Sequence, residues 1–228
     1  MIEKHIILQK TGKGRRIAIG DIHGCAKTLK ALVLDQLKPT FDDQIFFLGD
    51  YVSRGNDSAG VIDFILSLKE QKYQIFALSG NHEIMALDRE KNTPASSDKK
   101  HLIPAKYKNF LENLPYCYQM EDFIFVHAGI NFKADKPFDD YNAMLWERDN
   151  DYIPPNITAT IIHGHTIETL EAINEAILNK KQIICIDNGC YYGLKPEDFR
   201  VKVGYNGHLC ALDVDNWVLY TQKCLDTK

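Results

Sequence analysis

The sequence predicts an α/β protein built on parallel strands. Three short apolar runs each end in a glycine and a polar side chain. Ile17-Ala18-Ile19 runs into Gly20-Asp21-Ile22-His23-Gly24, Ile45-Phe46-Phe47-Leu48 into Gly49-Asp50-Tyr51-Val52-Ser53-Arg54-Gly55, and Ile75-Phe76-Ala77-Leu78 into Ser79-Gly80-Asn81-His82-Glu83. Continuous apolar runs bounded by turn residues are the pattern of strands buried on both faces. The stretches between them carry apolar residues at helical spacing. Strand and helix therefore alternate, which is the order of parallel βαβ units.

The elements follow in order. Ile6-Ile7-Leu8 predicts an edge strand and 11–14 a turn. After strand 17–19, Leu29, Leu32, Val33 and Leu37 give an apolar stripe over 26–37 that Pro39 stops. Strand 45–48 leads to a helix over 58–70 through Val61, Ile62, Ile65, Leu66 and Leu68, and strand 75–78 leads to a short helix over 83–89. Residues 90–100 form the most polar, turn-rich stretch, either a solvated connector or a lid beside the site. A helix over 105–114 packs through Tyr107, Phe110, Leu111 and Leu114, and strand 123–126 ends in His127-Ala128-Gly129. The acidic stretch 137–151 is irregular; strand 159–162 ends in His163-Gly164-His165-Thr166. Residues 168–179 are helix or loop, and strand 183–186 ends in Asp187-Asn188-Gly189-Cys190. Runs 209–212 and 217–220 flank a turn and predict a hairpin in a second sheet.

A length of 228 residues suits one domain over 1–228. With 45% hydrophobic and 25% charged residues the composition is that of a soluble globular protein. A net charge of -4 disfavours nucleic acid as a partner, since such partners select a basic surface. The 6 cysteines are scattered, without a Cys-x-x-Cys pair, and are expected to be free thiols in a reducing compartment. The first residues show no apolar signal core and no run approaches membrane-spanning length, so a cytoplasmic enzyme without a membrane partner is expected.

Five strand ends deliver Asp21, His23, Asp50, Asn81, His127 and a histidine of the 163–165 pair to the place where open α/β sheets keep their ligands. Turn formation alone accounts for single Asp or Asn residues, but not for the repetition. Carboxylate, imidazole and amide oxygen without thiolate suit a borderline to hard divalent ion: manganese first, with iron or zinc as alternatives. A carboxylate such as Asp50 can bridge two ions. Two ions about 4 Å apart can hold a hydroxide and clamp a phosphoryl oxygen. Arg54 and Arg148 are candidate phosphate clamps, because a guanidinium forks onto phosphate; a surface ion pair is the alternative for Arg148. His82 is the candidate proton donor. His5, His101 and His208 are expected to be structural, Cys190 likewise, and Glu83 to orient a loop. Tyr191 and Tyr192 are divided between pocket and core.

Taken together these motifs resemble the phosphoprotein phosphatase family of binuclear metallophosphoesterases, particularly its short bacterial members. GDIHG at 20–24, GDYVSRG at 49–55, GNHE at 80–83, FVHAG at 125–129 and HGHT at 163–166 match its signatures in order. Leu-Trp-Glu-Arg at 145–148 is similar to a second arginine motif, and the Asp-Asn-Gly at 187–189 to an aspartate-x-glycine strand ending. The resemblance covers about residues 15–220. It implies a calcineurin-like αββα fold, two mixed β-sheets sandwiched between helices. It implies one metal on Asp21, His23 and Asp50 and a second on Asp50, Asn81, His127 and His165, with His163 behind. Arg54, Arg148 and Asn81 would hold phosphate and His82 would serve as general acid. It also implies direct attack by a metal-bridging hydroxide, with no phosphoenzyme.

One departure stands out: Ser53 occupies the position where the family has an aspartate that pairs with its catalytic histidine. A hydroxyl brings no charge, so His82 should be a weaker or lower-pKa acid and activity should favour good leaving groups or lower pH. The activity expected first is serine/threonine phosphoprotein phosphatase, on a phosphorylated protein or a small phosphoester. A dinucleoside polyphosphate hydrolase, such as one acting on diadenosine tetraphosphate, is the alternative, and a binding-only relative the least favoured. Loops 88–106 and 193–208 are expected to decide among substrates.

Overall fold

A computed structural model of the protein describes residues 3–92, 104–149, 152–194 and 206–226. The chain opens with β1 (His5–Ile7) and β2 (Arg16–Ile19). α1 (Ala26–Ala31) then widens into a π turn over Leu32–Leu37. The turn closes on Lys38, whose φ of 44° is left-handed and whose N–H donates to the Val33 carbonyl at 2.9 Å, so the helix ends one residue before Pro39 acts. β3 (Gln44–Phe47), α2 (Ser58–Glu70) and β4 (Gln74–Ala77) follow. α2 starts where the Asp57 carboxylate accepts the Gly60 N–H. α3 (Asn81–Asn92) begins two residues earlier than its apolar pattern suggests, so Asn81 and His82 lie in its first turn.

α4 (Ala105–Glu112), β5 (Cys117–Gln119) and β6 (Phe123–Val126) come next. The stretch expected to be irregular contains α5 (Tyr141–Trp146), started by the Asp140 carboxylate accepting the Ala143 N–H. β7 (Thr160–His163), α6 (Leu170–Leu178), β8 (Ile183–Cys185), β9 (His208–Asp213) and β10 (Val218–Lys223) complete the fold. None of the described helices is long and apolar enough to cross a membrane.

The described strands form two mixed sheets, in the orders β10-β9-β2-β3-β4 and β1-β5-β6-β7-β8. β2, β3 and β4 are parallel, as their βαβ pattern requires. The C-terminal hairpin corrects one expectation. It does not build the second sheet but extends the first, with β9 antiparallel to β2. β2 would otherwise expose an unpaired edge to solvent, and the hairpin covers it.

Alternate residues of each central strand face different layers. Ile17, Ile19, Ile45 and Phe47 pack under α1, α2 and α4, while Ala18, Phe46 and Leu48 face Phe125, Ile162 and Ile184 of the other sheet. Ile124 and Val126 point outward, onto Met144 of α5. At the centre Phe46 and Phe125 stack with ring centroids 4.0 Å apart. Buried Arg16 in β2 pairs with Asp215 of the hairpin turn and with Asp122 between β5 and β6, tying the two sheets together at one end. The carboxyl ends of both parallel sets open at the other.

Phe46 is fully buried between the sheets. Phe46→Ala is expected to lower unfolding free energy by about 3–5 kcal/mol in a urea titration; a loss well under 1 kcal/mol would mean that the sheets do not meet at this ring.

Candidate metal centre

Asp21 follows β2, Asp50 follows β3 and Asn81 follows β4; His127 follows β6, His165 follows β7 and Asp187 follows β8. The side chains expected along one sheet edge thus lie on two, one from each sheet, that face each other. All six of these side chains are buried, and so is His23. The turns that present them are tight. His23, Asp50 and His165 hold φ of 49°, 52° and 65°, left-handed values that a non-glycine residue adopts at a cost. Gly49 and Gly80 allow the β3 and β4 turns to touch. A Cβ on Gly49 would lie 2.5 Å from the Gly80 nitrogen, and one on Gly80 would strike the Asp50 carboxylate.

Asp50 sits at the middle. His23 Nε2 is 3.4 Å from its Oδ2 and His127 Nε2 is 3.5 Å from its Oδ1. The far nitrogens of both rings face backbone carbonyls: His23 Nδ1 lies 3.2 Å from Val52 O and His127 Nδ1 2.9 Å from Leu48 O. A carbonyl only accepts, so each Nδ1 carries the proton and each Nε2 turns a lone pair toward the carboxylate. The carboxylate therefore meets an acceptor on both sides. A proton on Asp50 could relieve one of these faces but not both. Asn81 Oδ1 adds a further acceptor, 3.0 Å from His127 Nε2 and 3.2 Å from His165 Nδ1. Asp21 Oδ1 and His165 Nε2 are buried with no hydrogen-bond partner among the described residues. Lone pairs converging on shared points are the arrangement that cations resolve. Ligand atoms of Asp21, Asp50 and His127, and of His23, Asp50 and His82, lie within 4.8 Å of one another.

The charge balance agrees. Burial, then the negative charges of Asp187 and Asp50, push the Asp21 carboxyl well above its usual range. Burial pushes Asp50 up to about 7 and Asp187 up to about 6. Burial also holds His127 down to about 4 and His23 well below its usual range. The pocket accumulates acids that want protons beside imidazoles that refuse them, which is a deficit of positive charge.

Two residues not assigned a ligand or phosphate role by motif reasoning shape the site. Asp187 brings a third carboxyl beside Asp21; its signal was the Asp-x-Gly strand end, where its Oδ1 accepts the Gly189 N–H at 2.7 Å. Glu83, fully buried, accepts backbone N–H groups from Asp50, Tyr51, Val52 and Gly80. It thereby fixes the β3 and β4 turns together, as expected of a loop-orienting residue. Burial and the neighbouring Asp50 push it up to about 8.

His82 N–H donates to Asp50 Oδ1 at 3.0 Å, and the ring stands at the pocket mouth, 3.3 Å from Arg54 Nη2 and 4.0 Å from Asp50 Oδ2. Burial and Arg54 hold it down to about 4. Arg54 donates to the Tyr191 hydroxyl at 2.8 Å, and the Tyr191 ring packs edge-on against His23 at 5.1 Å. Tyr191 is thus both buried and part of the site wall. Ser53, left-handed at φ 71°, uses its N–H on the Ser58 hydroxyl at 3.1 Å. A groove of about 590 Å³ opens here, lined by Ser53, Arg54, His82, Met85 and Arg89.

Arg148 stands farther out. It is exposed, bears electrostatically on His127 and His165, and lines a groove of about 630 Å³ with His163 and Cys185. His163 hydrogen-bonds to the Gly164 carbonyl through Nδ1 at 3.0 Å, behind His165. His5 stacks on Phe138 and His208 contacts Asn188, both away from the pocket. His101 lies outside the described residues, as do most of loop 88–106 and of loop 193–208. The described cysteines are unpaired.

A model of the calcineurin-like phosphoesterase family matches residues 14–211. A symmetrical bis(5'-nucleosyl)-tetraphosphatase of Vibrio campbellii is 31% identical over 125 residues, covering 50% of this chain and 44% of its own length. The chain thus spans less than half the length of that relative. An asymmetrical bis(5'-nucleosyl)-tetraphosphatase of Oceanobacillus iheyensis is 27% identical over 223 residues, covering 80% of this chain and 86% of its own. Among solved structures, a protein provisionally assigned as a diadenosine tetraphosphatase superposes with a TM-score of 0.69 at 22% identity, covering 96% of this chain and 97% of its own. A serine/threonine phosphatase from Saccharomyces cerevisiae superposes with a TM-score of 0.67 at 16% identity, covering 99% and 85%. At these identities the two structures establish a shared fold.

The buried acids give the metal-free protein a signed pH dependence. Unfolded carboxyls have lost their protons by about pH 5, whereas Asp50 and Glu83 keep theirs to about 7 and about 8. At these two carboxyls the folded chain holds more protons than the unfolded one, so their contribution to stability falls as pH rises through that window. The buried histidines act in the opposite sense: His82, His127 and His163 are held down to about 4, while their unfolded counterparts are still half-protonated at about pH 6.5. The Cys224 thiol, lowered to about 3 beside Cys190 and Cys25, also opposes the carboxyls up to its ordinary value of 9.0. The carboxyl contribution is therefore read as a difference between two proteins. Metal-free wild type is expected to lose Tm relative to metal-free Asp50→Asn between about pH 6.5 and 8. Saturating manganese should raise the wild-type Tm by several degrees. A wild-type Tm that gains on Asp50→Asn as pH rises, or that ignores manganese, would contradict this charge balance.

Proposed function

The chain belongs to the calcineurin-like phosphoesterase family, and on that premise we propose that it is a divalent-metal-dependent hydrolase that cleaves the phosphoanhydride of a dinucleoside polyphosphate. Metallophosphoesterase chemistry is the family's. The choice of anhydride over phosphoprotein reverses the order suggested by the motifs, and one observation carries it. Ser53 stands where a carboxylate would support His82, and the ring instead has Arg54 at 3.3 Å.

The proposed assignments are these. Asp21, His23 and Asp50 hold one divalent cation; Asp50, Asn81, His127 and His165 hold the other. Bound there, the cations supply an activated water and neutralise charge on the phosphoryl oxygens. Arg54 binds the phosphate, held in place by the Tyr191 hydroxyl, and Arg148 and Asn81 contribute from the other side. His82 stands at the leaving oxygen, where a proton would be given to a leaving group that needs one.

That last step separates the substrates. A serine or threonine side chain leaves as an alkoxide, which needs a proton as it departs. A nucleotide leaves on a phosphate oxygen whose conjugate acid has a pKa of about 6, and it departs without help. A histidine held low by a neighbouring guanidinium is a poor donor at neutral pH, so this site suits the second leaving group. Two further points support the reading. The named tetraphosphatase relatives include one aligned over most of both chains. The groove beside His82 combines the cations Arg54 and Arg89 with apolar Val52, Ile62 and Met85, a lining that fits polyphosphate and base together.

Assayed with manganese, the protein is expected to hydrolyse diadenosine tetraphosphate in preference to a phosphoserine peptide. Asp50→Asn should reduce that activity at least about a hundredfold, because a ligand rather than a supporting partner is lost. Phosphopeptide turnover faster than that of the dinucleotide would overturn the substrate choice. Ser53→Asp tests the reason for it. The added carboxylate should raise phosphomonoester kcat by about tenfold or more and extend activity to higher pH, with little change on the dinucleotide. Equal effects on both substrates would refute the leaving-group argument.

A further inference from the structure

A second set of ligand atoms lies outside the centre described above. Cys25 follows the β2 turn, Cys190 follows the β8 turn and Cys224 follows β10. They are distant in sequence, yet their sulfurs all lie within 4.8 Å of one another. Cys25 and Cys190 are 0% and 1% exposed and Cys224 is half-buried. The surrounding structure holds them together. A Cβ on Gly193 would strike Cys224, so glycine is what lets the C-terminal segment reach the Cys190 turn. Cys224 N–H donates to the Gly207 carbonyl at 2.9 Å. The Asp226 carboxylate accepts from the Lys27 and Thr28 N–H groups and the Thr28 hydroxyl, fastening the same segment at the start of α1. The Thr28 hydroxyl stands 3.8 Å from Cys224 Sγ.

We propose that Cys25, Cys190 and Cys224 form a site for one thiophilic divalent cation of the zinc class, separate from the carboxylate–histidine centre. Three thiolates and one further ligand are a common structural zinc set, and zinc–sulfur bonds of about 2.3 Å place tetrahedral sulfurs about 3.8 Å apart. The observed spacing reaches that with small side-chain adjustment. Soft sulfur selects against manganese, so the two centres would not compete for the same ion. A disulfide would use two of the sulfurs, need an oxidant and leave the third idle, whereas a cation uses all three. Binding releases the thiol protons to solvent, so uptake strengthens as pH rises. The ion would tie the C-terminal segment to two turns of the pocket: Cys25 lies two residues after His23, and Cys190 precedes Tyr191, which holds Arg54. It is a structural clamp behind the active face.

The test uses the full chain and cobalt(II) as a spectroscopic probe. One equivalent is expected to give thiolate-to-cobalt charge-transfer absorption, which a carboxylate–histidine centre cannot produce. The band should persist in Asp50→Asn, disappear in Cys224→Ser and in Cys190→Ser, and be displaced by zinc. Zinc should slow alkylation of Cys25, Cys190 and Cys224 at least about tenfold while leaving Cys117, Cys185 and Cys210 unchanged, as read by mass spectrometry. The alkylation and the wild-type spectrum need no variant to fold. A wild-type spectrum without the band, alkylation indifferent to zinc, or a disulfide among the three forming readily with zinc present would each overturn the proposal.

Discussion

The pocket depends on a carboxylate that meets a lone pair on each side. Asp50 is buried, and the histidines flanking it have their protons committed to the carbonyls of Val52 and Leu48. A single proton on Asp50 could answer only one of these imidazole faces, and the His82 N–H that donates to its Oδ1 serves neither. Much of the neighbouring structure exists to hold this arrangement. Glu83 gathers four backbone N–H groups from the β3 and β4 turns, Gly49 and Gly80 let those turns touch, and His127 reaches across from the other sheet.

Such a site works against folding. Left-handed non-glycine residues cost of order 1–3 kcal/mol each, and His23, Asp50 and His165 are all of this kind. Buried acids held above their usual range and imidazoles held below it add to the burden. The layers on either side of the first sheet supply the compensation. One is packed under the helices; the other, between the sheets, is centred on Phe46 and Phe125. The same crowding of acceptors would give a divalent ion differential affinity for the folded chain.

Much of this was legible in the sequence because the signals were local. An apolar run of three or four residues followed by glycine and a polar side chain specifies a strand, a tight turn and a group at its end, and the six proposed ligands lie side by side. What was not legible depended on partners distant in the chain. The hairpin 209–220 gives no sign of which sheet it joins; that is decided by the open edge of β2. Asp187 read only as part of an aspartate-x-glycine strand ending; its place beside Asp21 comes from the fold. The cysteines carried no spacing motif, since their cluster arises only where three turns meet. α5 was hidden in an acidic stretch because its start depends on the Asp140 cap rather than on periodicity. The proposed leaving-group preference turns on Ser53, a single departure from an otherwise regular motif.

The most direct measurement is anomalous diffraction at the manganese edge from crystals of the full chain grown with that ion. Two peaks are expected, both touching Asp50: one bounded also by Asp21 and His23, the other by Asn81, His127 and His165. A map with no peak in the pocket, or with a lone ion that avoids Asp50, would contradict the account.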